Sequence, residues 1–110
     1  MNKVEEISKL WSAHEAKSFP EGHRTKVIGK ANLTMIESDA ASNIITFIHS
    51  GGNLVGRRQT ELKNNIKILD ESLKELSGEA KIYFTSLKQI VERVIELTSE
   101  PENITKPPAR

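Results

Sequence analysis

Cysteine is absent from the 110 residues. That gap excludes disulfides, thiol nucleophiles, cysteine zinc sites and cysteine-held iron–sulfur clusters together. It also fits a reducing compartment. Long apolar runs are missing too. The longest apolar cluster falls far below the ~20 residues a membrane-spanning helix needs. The first residues carry no apolar run of the kind a secretory signal peptide has. By elimination the chain is expected to be soluble and cytoplasmic, with no membrane partner. An excess of charge is missing as well: 16 basic against 15 acidic side chains leave a net charge of +1. A general nucleic-acid binder usually shows a domain pI above about 9, so nucleic acid is the weaker candidate partner.

Two catalytic signatures are started and not completed. His14-Glu15 opens like the zinc-protease pattern H-E-x-x-H, which sets two imidazoles one turn apart on a helix face. The fourth residue after His14 is Ser18, and nothing in the spacing of His23 and His49 supplies the missing ligand. Gly51-Gly52-Asn53, with Gly56 and Arg57-Arg58, is glycine-rich ahead of a helix. Such a helix start can hold phosphate, yet neither a Walker lysine spacing nor G-x-G-x-x-G is present. Glu37 and Asp39 read as acids at a helix start, where they suit the macrodipole. No metal, cofactor or catalytic set is therefore expected, and the chain reads as a non-enzyme.

What the chain does have is helical periodicity. Leu62, Ile66, Leu69, Leu73 and Leu76 step by four, three, four and three, a heptad stripe. After Ser77-Gly78 the pattern resumes at Ala80, Tyr83, Phe84, Leu87, Ile90, Val91, Val94, Ile95 and Leu97. Two helices joined by so short a turn must lie antiparallel. Upstream, Val4, Ile7, Trp11 and His14 share a face of a first helix, with Asn2 and Glu5 at capping-box spacing. That helix should end near Lys17, before Phe19-Pro20. A second helix is expected from a cap at Ser38 or Asp39 to Gly51, a glycine placed for the left-handed position after a helix. Asn53 is a candidate cap for the third helix and Ser77 for the fourth. Residues 26–36 read either as a short β-ribbon or as an irregular loop. The fold expected is mainly α: a four-helix bundle-like single domain over 1–98, with a long antiparallel helical hairpin (54–76, 79–98) and a flexible tail over 99–110.

The third helix is basic at its start, with Arg57, Arg58, Lys63 and Lys67 against Glu61. Residues 68–80, its end and the turn that follows, are acidic, with Asp70, Glu71, Glu75 and Glu79 against Lys74. That order opposes the helix macrodipole. A solvated surface explains it; an anion or nucleic-acid phosphate at Arg57 and Arg58 is the functional alternative. An incompletely covered apolar stripe would equally admit a second copy of the chain.

Three ordered blocks carry a resemblance. They are Leu10-Trp11-Ser12-Ala13-His14-Glu15-Ala16 with Phe19-Pro20; Leu33 to Asp39 with Thr46-Phe47-Ile48 and Gly51-Gly52; and Leu76-Ser77-Gly78-Glu79-Ala80 with Tyr83-Phe84. Over about residues 10 to 97 the chain resembles a family of small uncharacterised bacterial proteins with L-W-x-x-H-E-A-x-x-F-P, T-F-L-x-x-G-G and L-x-G-E-A-x-x-Y-F blocks. It departs from that pattern at Asn32, Glu37 and Asn43. The resemblance implies a shared fold and brings no activity. The expectation is a small protein-interaction or regulatory module, with Trp11, His14, Glu15, Arg57 and Arg58 as candidate binding residues. The alternative is a nucleic-acid or anion binder using the basic start of the third helix. A third reading is a hydrolase built on His14, Glu15 and Asp39.

Overall fold

The computed structural model describes residues 2–20, 27–28, 31–54 and 56–98. It shows a mainly α, four-helix single domain. In chain order it has α1 (Lys3–Glu15), β1 (Val27–Ile28), β2 (Ala31–Asn32), α2 (Leu33–His49), α3 (Gly56–Leu73) and α4 (Gly78–Thr98). The tail over 99–110 lies outside the described residues.

Asn2 caps α1 as its spacing implies. Its side chain accepts from the Glu5 N–H at 2.8 Å, and the Glu5 carboxylate accepts from the Asn2 N–H at 3.2 Å. The helix then buries Ile7, Trp11 and His14, one every three or four residues.

The start of α2 corrects the sequence reading. The two strands are only two residues each and pair antiparallel, Val27 opposite Asn32 and Ile28 opposite Ala31. Leu33–Ile36, expected in the ribbon, is the first turn of α2. Asn32 is the cap, accepting from the Met35 N–H at 3.2 Å, so Ser38 and Asp39 lie inside the helix. The alternation of Leu33 and Met35 misled because a three-residue step governs here. Leu33 and Ile36 are buried while Met35 is 64 % exposed. At its other end α2 closes on Gly51 (φ +75°). The Gly52 N–H reaches the Phe47 carbonyl at 2.8 Å and the Gly51 N–H reaches that of Ile48 at 3.3 Å. These are the paired bonds of a Schellman ending, which needs a left-handed residue that glycine supplies without strain.

The first helix of the hairpin is shorter than the expected 54–76, while the second, expected over 79–98, starts one residue earlier at Gly78. Leu54 precedes α3, and Asn53 bonds backward to Ser50 rather than capping forward. At the far end α3 stops at Leu73, and Leu76 is buried from the connecting turn. Two cross-links show that α3 and α4 run antiparallel. Gln59 donates to the Thr98 carbonyl at 3.5 Å, and eleven residues along α3 Asp70 meets Lys88, ten residues back along α4. That pairing also accounts for part of the acidic end of α3, which faces a lysine of α4.

The core is a single cluster drawn from all four helices. Ile7, Leu33, Ile44, Phe47, Leu62, Leu69, Phe84, Leu87, Val91 and Val94 are fully or almost fully shielded from solvent. Helix α2 touches the three other helices, which is why it is apolar on several sides.

Candidate functional site

Three helices bring four polar side chains together at one edge of the core. Helix α1 supplies His14, on the buried face one turn past Trp11. Helix α2 supplies Glu37, four residues after the buried Leu33. Helix α4 supplies Tyr83 and Ser86, one turn apart. His14 is only 1 % exposed. Its Nδ1 lies 3.1 Å from the Ser86 hydroxyl and its Nε2 lies 3.4 Å, a long contact, from Glu37 Oε2. The Tyr83 hydroxyl donates to the same Glu37 oxygen. With a neutral ring these contacts assign the tautomer: Nε2–H points to the carboxylate and Nδ1 accepts from Ser86.

Aromatic rings frame this network. Trp11 stacks on His14 with centroids 5.5 Å apart, and Tyr83 lies 4.4 Å from His14 on another side. Phe19 meets Tyr83 and Phe84 edge-on at 5.4 and 5.7 Å. The Phe19-Pro20 segment thus packs back over α4.

The network is not sealed. A cleft of about 270 Å³ opens over Trp11, His14, Glu15, Glu37 and Tyr83. Beyond Tyr83 a second cleft of about 280 Å³ is bounded by Lys17, Ser18, Glu79 and Ile82. Ser86 faces a broader hollow shared with Lys81, Ile82 and Gln89. Ile82, which borders both, is 64 % exposed.

Of the five candidate residues, Trp11, His14 and Glu15 share a cleft. Arg57 and Arg58 lie on α3, outside it, and they part company. Arg57 is 82 % exposed and faces Glu61 at 3.9 Å. Arg58 turns inward and donates to the Asn43 side-chain oxygen at 2.9 Å, so the adjacent pair does not form one anion clamp. Asp39 lines a different cleft, between α2 and α3, away from His14 and Glu15. The proposed trio of His14, Glu15 and Asp39 is therefore not assembled. Glu37 takes the place given to Asp39, because α2 begins nearly two turns earlier than expected. Glu37, Tyr83 and Ser86 were the missed members. The signal available in sequence was a histidine on an apolar helix face, which needs polar partners from elsewhere in the fold. His49 is exposed, and His23 lies outside the described residues. Among the described residues no group of three or more histidine, aspartate or glutamate side chains is placed to hold a metal ion. No described helix is long and apolar enough to cross a membrane.

Comparison of the chain with protein-family models, curated proteins and solved structures finds no match.

Proposed function

We propose that this is a non-enzymatic binding module of the bacterial cytoplasm, and that it engages a protein partner along the edge where α1, α2 and α4 meet. One observation carries the reading. Residues far apart in the chain, from α1, α2 and α4, meet in one place: Trp11, His14 and Glu15; Glu37; and Tyr83. The chemistry of the edge suits a mixed contact. Glu15 and Glu37 offer negative charge on one side of Tyr83, and exposed Ile82 offers apolar surface on the other. The internal bonds of His14 hold the floor of this edge rigid, so little ordering is needed on binding.

A photo-crosslinking residue at position 82, used in the cells that make the protein, tests this. A discrete crosslinked protein, lost when Glu37→Ala and Glu15→Ala are combined, is the expected result. Crosslinks spread over many proteins, or none, reject the reading. Sedimentation of the pure protein at increasing concentration separates a second copy from a different partner.

A second reading has one observation behind it. Ser86, His14 and Glu37 form a hydroxyl–imidazole–carboxylate chain, the connectivity of an activated serine. Ser86 sits inside α4, however, where neighbouring N–H groups are spent on the helix and do not offer an oxyanion site. Labelling of Ser86 by a fluorophosphonate would favour this reading over the first. The anion-binding alternative rests on Arg57, since Arg58 is committed to Asn43.

A further inference from the structure

Helix α3 buries polar side chains where apolar ones stand next to them. Asn65 and Ser72, seven residues apart, are 5 % and 1 % exposed. The Asn65 side-chain oxygen has no hydrogen-bond partner among the described residues, a standing cost for a buried acceptor. Ile66 and Leu73, one position further round the helix, are only partly buried. A rotation of α3 that exchanged the two pairs would bury more apolar surface. Covering Ile66 and Leu73 from outside removes that advantage.

A groove of about 410 Å³ lies beside Ile66. Its walls are Lys63 and Ile66 of α3, and Glu92, Ile95 and Glu96 of α4. None of these side chains borders the clefts around His14 and Ile82. One wall is basic and the other acidic. Lys63 and, one turn on, Lys67 are exposed and have no ion-pair partner among the described residues. On the acidic wall Glu92 faces Lys88 at 3.9 Å and Glu96 faces Arg93 at 3.0 Å, both on their own helix. Gln59 meets Thr98 and Asp70 meets Lys88 across the hairpin. That register puts Lys63 level with Val94 and Ile95, and Lys67 level with Val91.

We infer that this face binds a second copy of the chain, with α3 of each lying over α4 of the other. A two-fold axis normal to the groove exchanges the two helices and the two levels. Lys63 then faces Glu92 of the second copy, and Lys67 faces its Glu96. Ile66 meets Ile95 of the second copy, so four isoleucines close the centre. The charge pattern complements itself, an arrangement that an unrelated partner does not require. Exposed pairs of this kind add little affinity but fix register and partner. The isoleucines and Leu73 supply the apolar contact.

Sedimentation of the intact protein over a range of concentrations at low salt is the test, applied to the parent, Lys63→Glu and Glu92→Lys. The parent should dimerise. Each reversal should weaken the dimer by about ten-fold or more, because symmetry replaces two opposite-charge pairs with two like-charge pairs. Both side chains are exposed, so the variants should melt with the parent. An equimolar mixture of the two variants should dimerise again, since each offers the charge that the other lacks. A parent that stays monomeric at its highest soluble concentration overturns the inference. So does a dimer that Lys63→Glu leaves intact, which places the contact on another face. A mixture no tighter than either variant alone also overturns it.

Discussion

Arg93 of α4 grips Glu6 of α1 with two nitrogens, Nε at 2.6 Å from one carboxylate oxygen and Nη2 at 3.1 Å from the other. A third nitrogen reaches Glu96 at 3.0 Å. The fork joins the first helix to the last, 87 residues apart in sequence, in the two-point geometry that only arginine provides. The hydrogen bond from Arg93 holds the Glu6 carboxyl below its ordinary value of 4.5, and the same bond raises the arginine.

The sign of the resulting pH dependence follows. Glu6 releases its proton more readily folded than unfolded, so its stabilising effect is complete above the unfolded value of 4.5 and fades as pH falls through the lower folded value. Arg93→Met should lower the melting temperature at pH 7, and the gap from the parent should narrow once the pH drops below 4.5. Both side chains are about one-third exposed, so the effect is modest and shrinks in salt. A gap of the same size at pH 3 and pH 7 would assign the loss to packing instead.

Tyr83 should be coupled to Glu37. Tyr83→Phe keeps the ring against His14 and Phe19 and removes only the hydroxyl that donates to the carboxylate. Glu37 is partly exposed and can recruit water, so the cost should be about 1.5 kcal/mol, the low end for a bond to a charged group. In urea unfolding, Tyr83→Phe and Glu37→Gln should be non-additive by more than ~0.5 kcal/mol. Additive effects would mean that the two side chains are neighbours without a shared bond.

The start of α2 can be checked by a pair of substitutions. Leu33→Ala should cost about 2–5 kcal/mol because Leu33 is completely buried. Met35→Ala should stay within about 0.5 kcal/mol, since that side chain stands in solvent. A ribbon with Leu33 and Met35 on one face would make both substitutions costly.

Those two residues also show what periodicity can and cannot reveal. The stripe of α4 was legible because nine consecutive helical-phase positions are apolar, and the structure buries nearly all of them. On α3 the same stripe was visible, but its centre was not. Asn65 and Ser72 are buried there while Ile66 and Leu73 are only partly buried. The helix is rotated toward α2 by contacts that no local pattern encodes. Capping was legible at Asn2, where box partners lie three residues apart, and illegible at Asn32, where a short alternation mimicked a strand. The site split in the same way. Trp11, His14 and Glu15 sit on one helix and could be grouped by spacing. Glu37 and Ser86 join them only through tertiary packing, at separations of 23 and 72 residues from His14.

The turn between α3 and α4 supplies the last test. Gly78 has φ +58°, where a side chain costs about 1–2 kcal/mol through clash with its own backbone. A methyl group added there would meet nothing within 4 Å, so any loss in Gly78→Ala comes from the backbone alone. Gly56, at the start of α3, is the control: its surroundings are equally open and its φ is not positive. Gly78→Ala should therefore destabilise by about 1 kcal/mol, while Gly56→Ala should stabilise by about 0.5 kcal/mol by restricting the unfolded chain. The denaturant slopes should match, because neither substitution alters the surface buried. Asparagine tolerates the left-handed region better than alanine, so Gly78→Asn should fall between Gly78→Ala and the parent. Equal losses at both glycines would show that the hairpin does not depend on a left-handed residue at 78, and that the reversal of the chain is held by the packing of Leu76 instead.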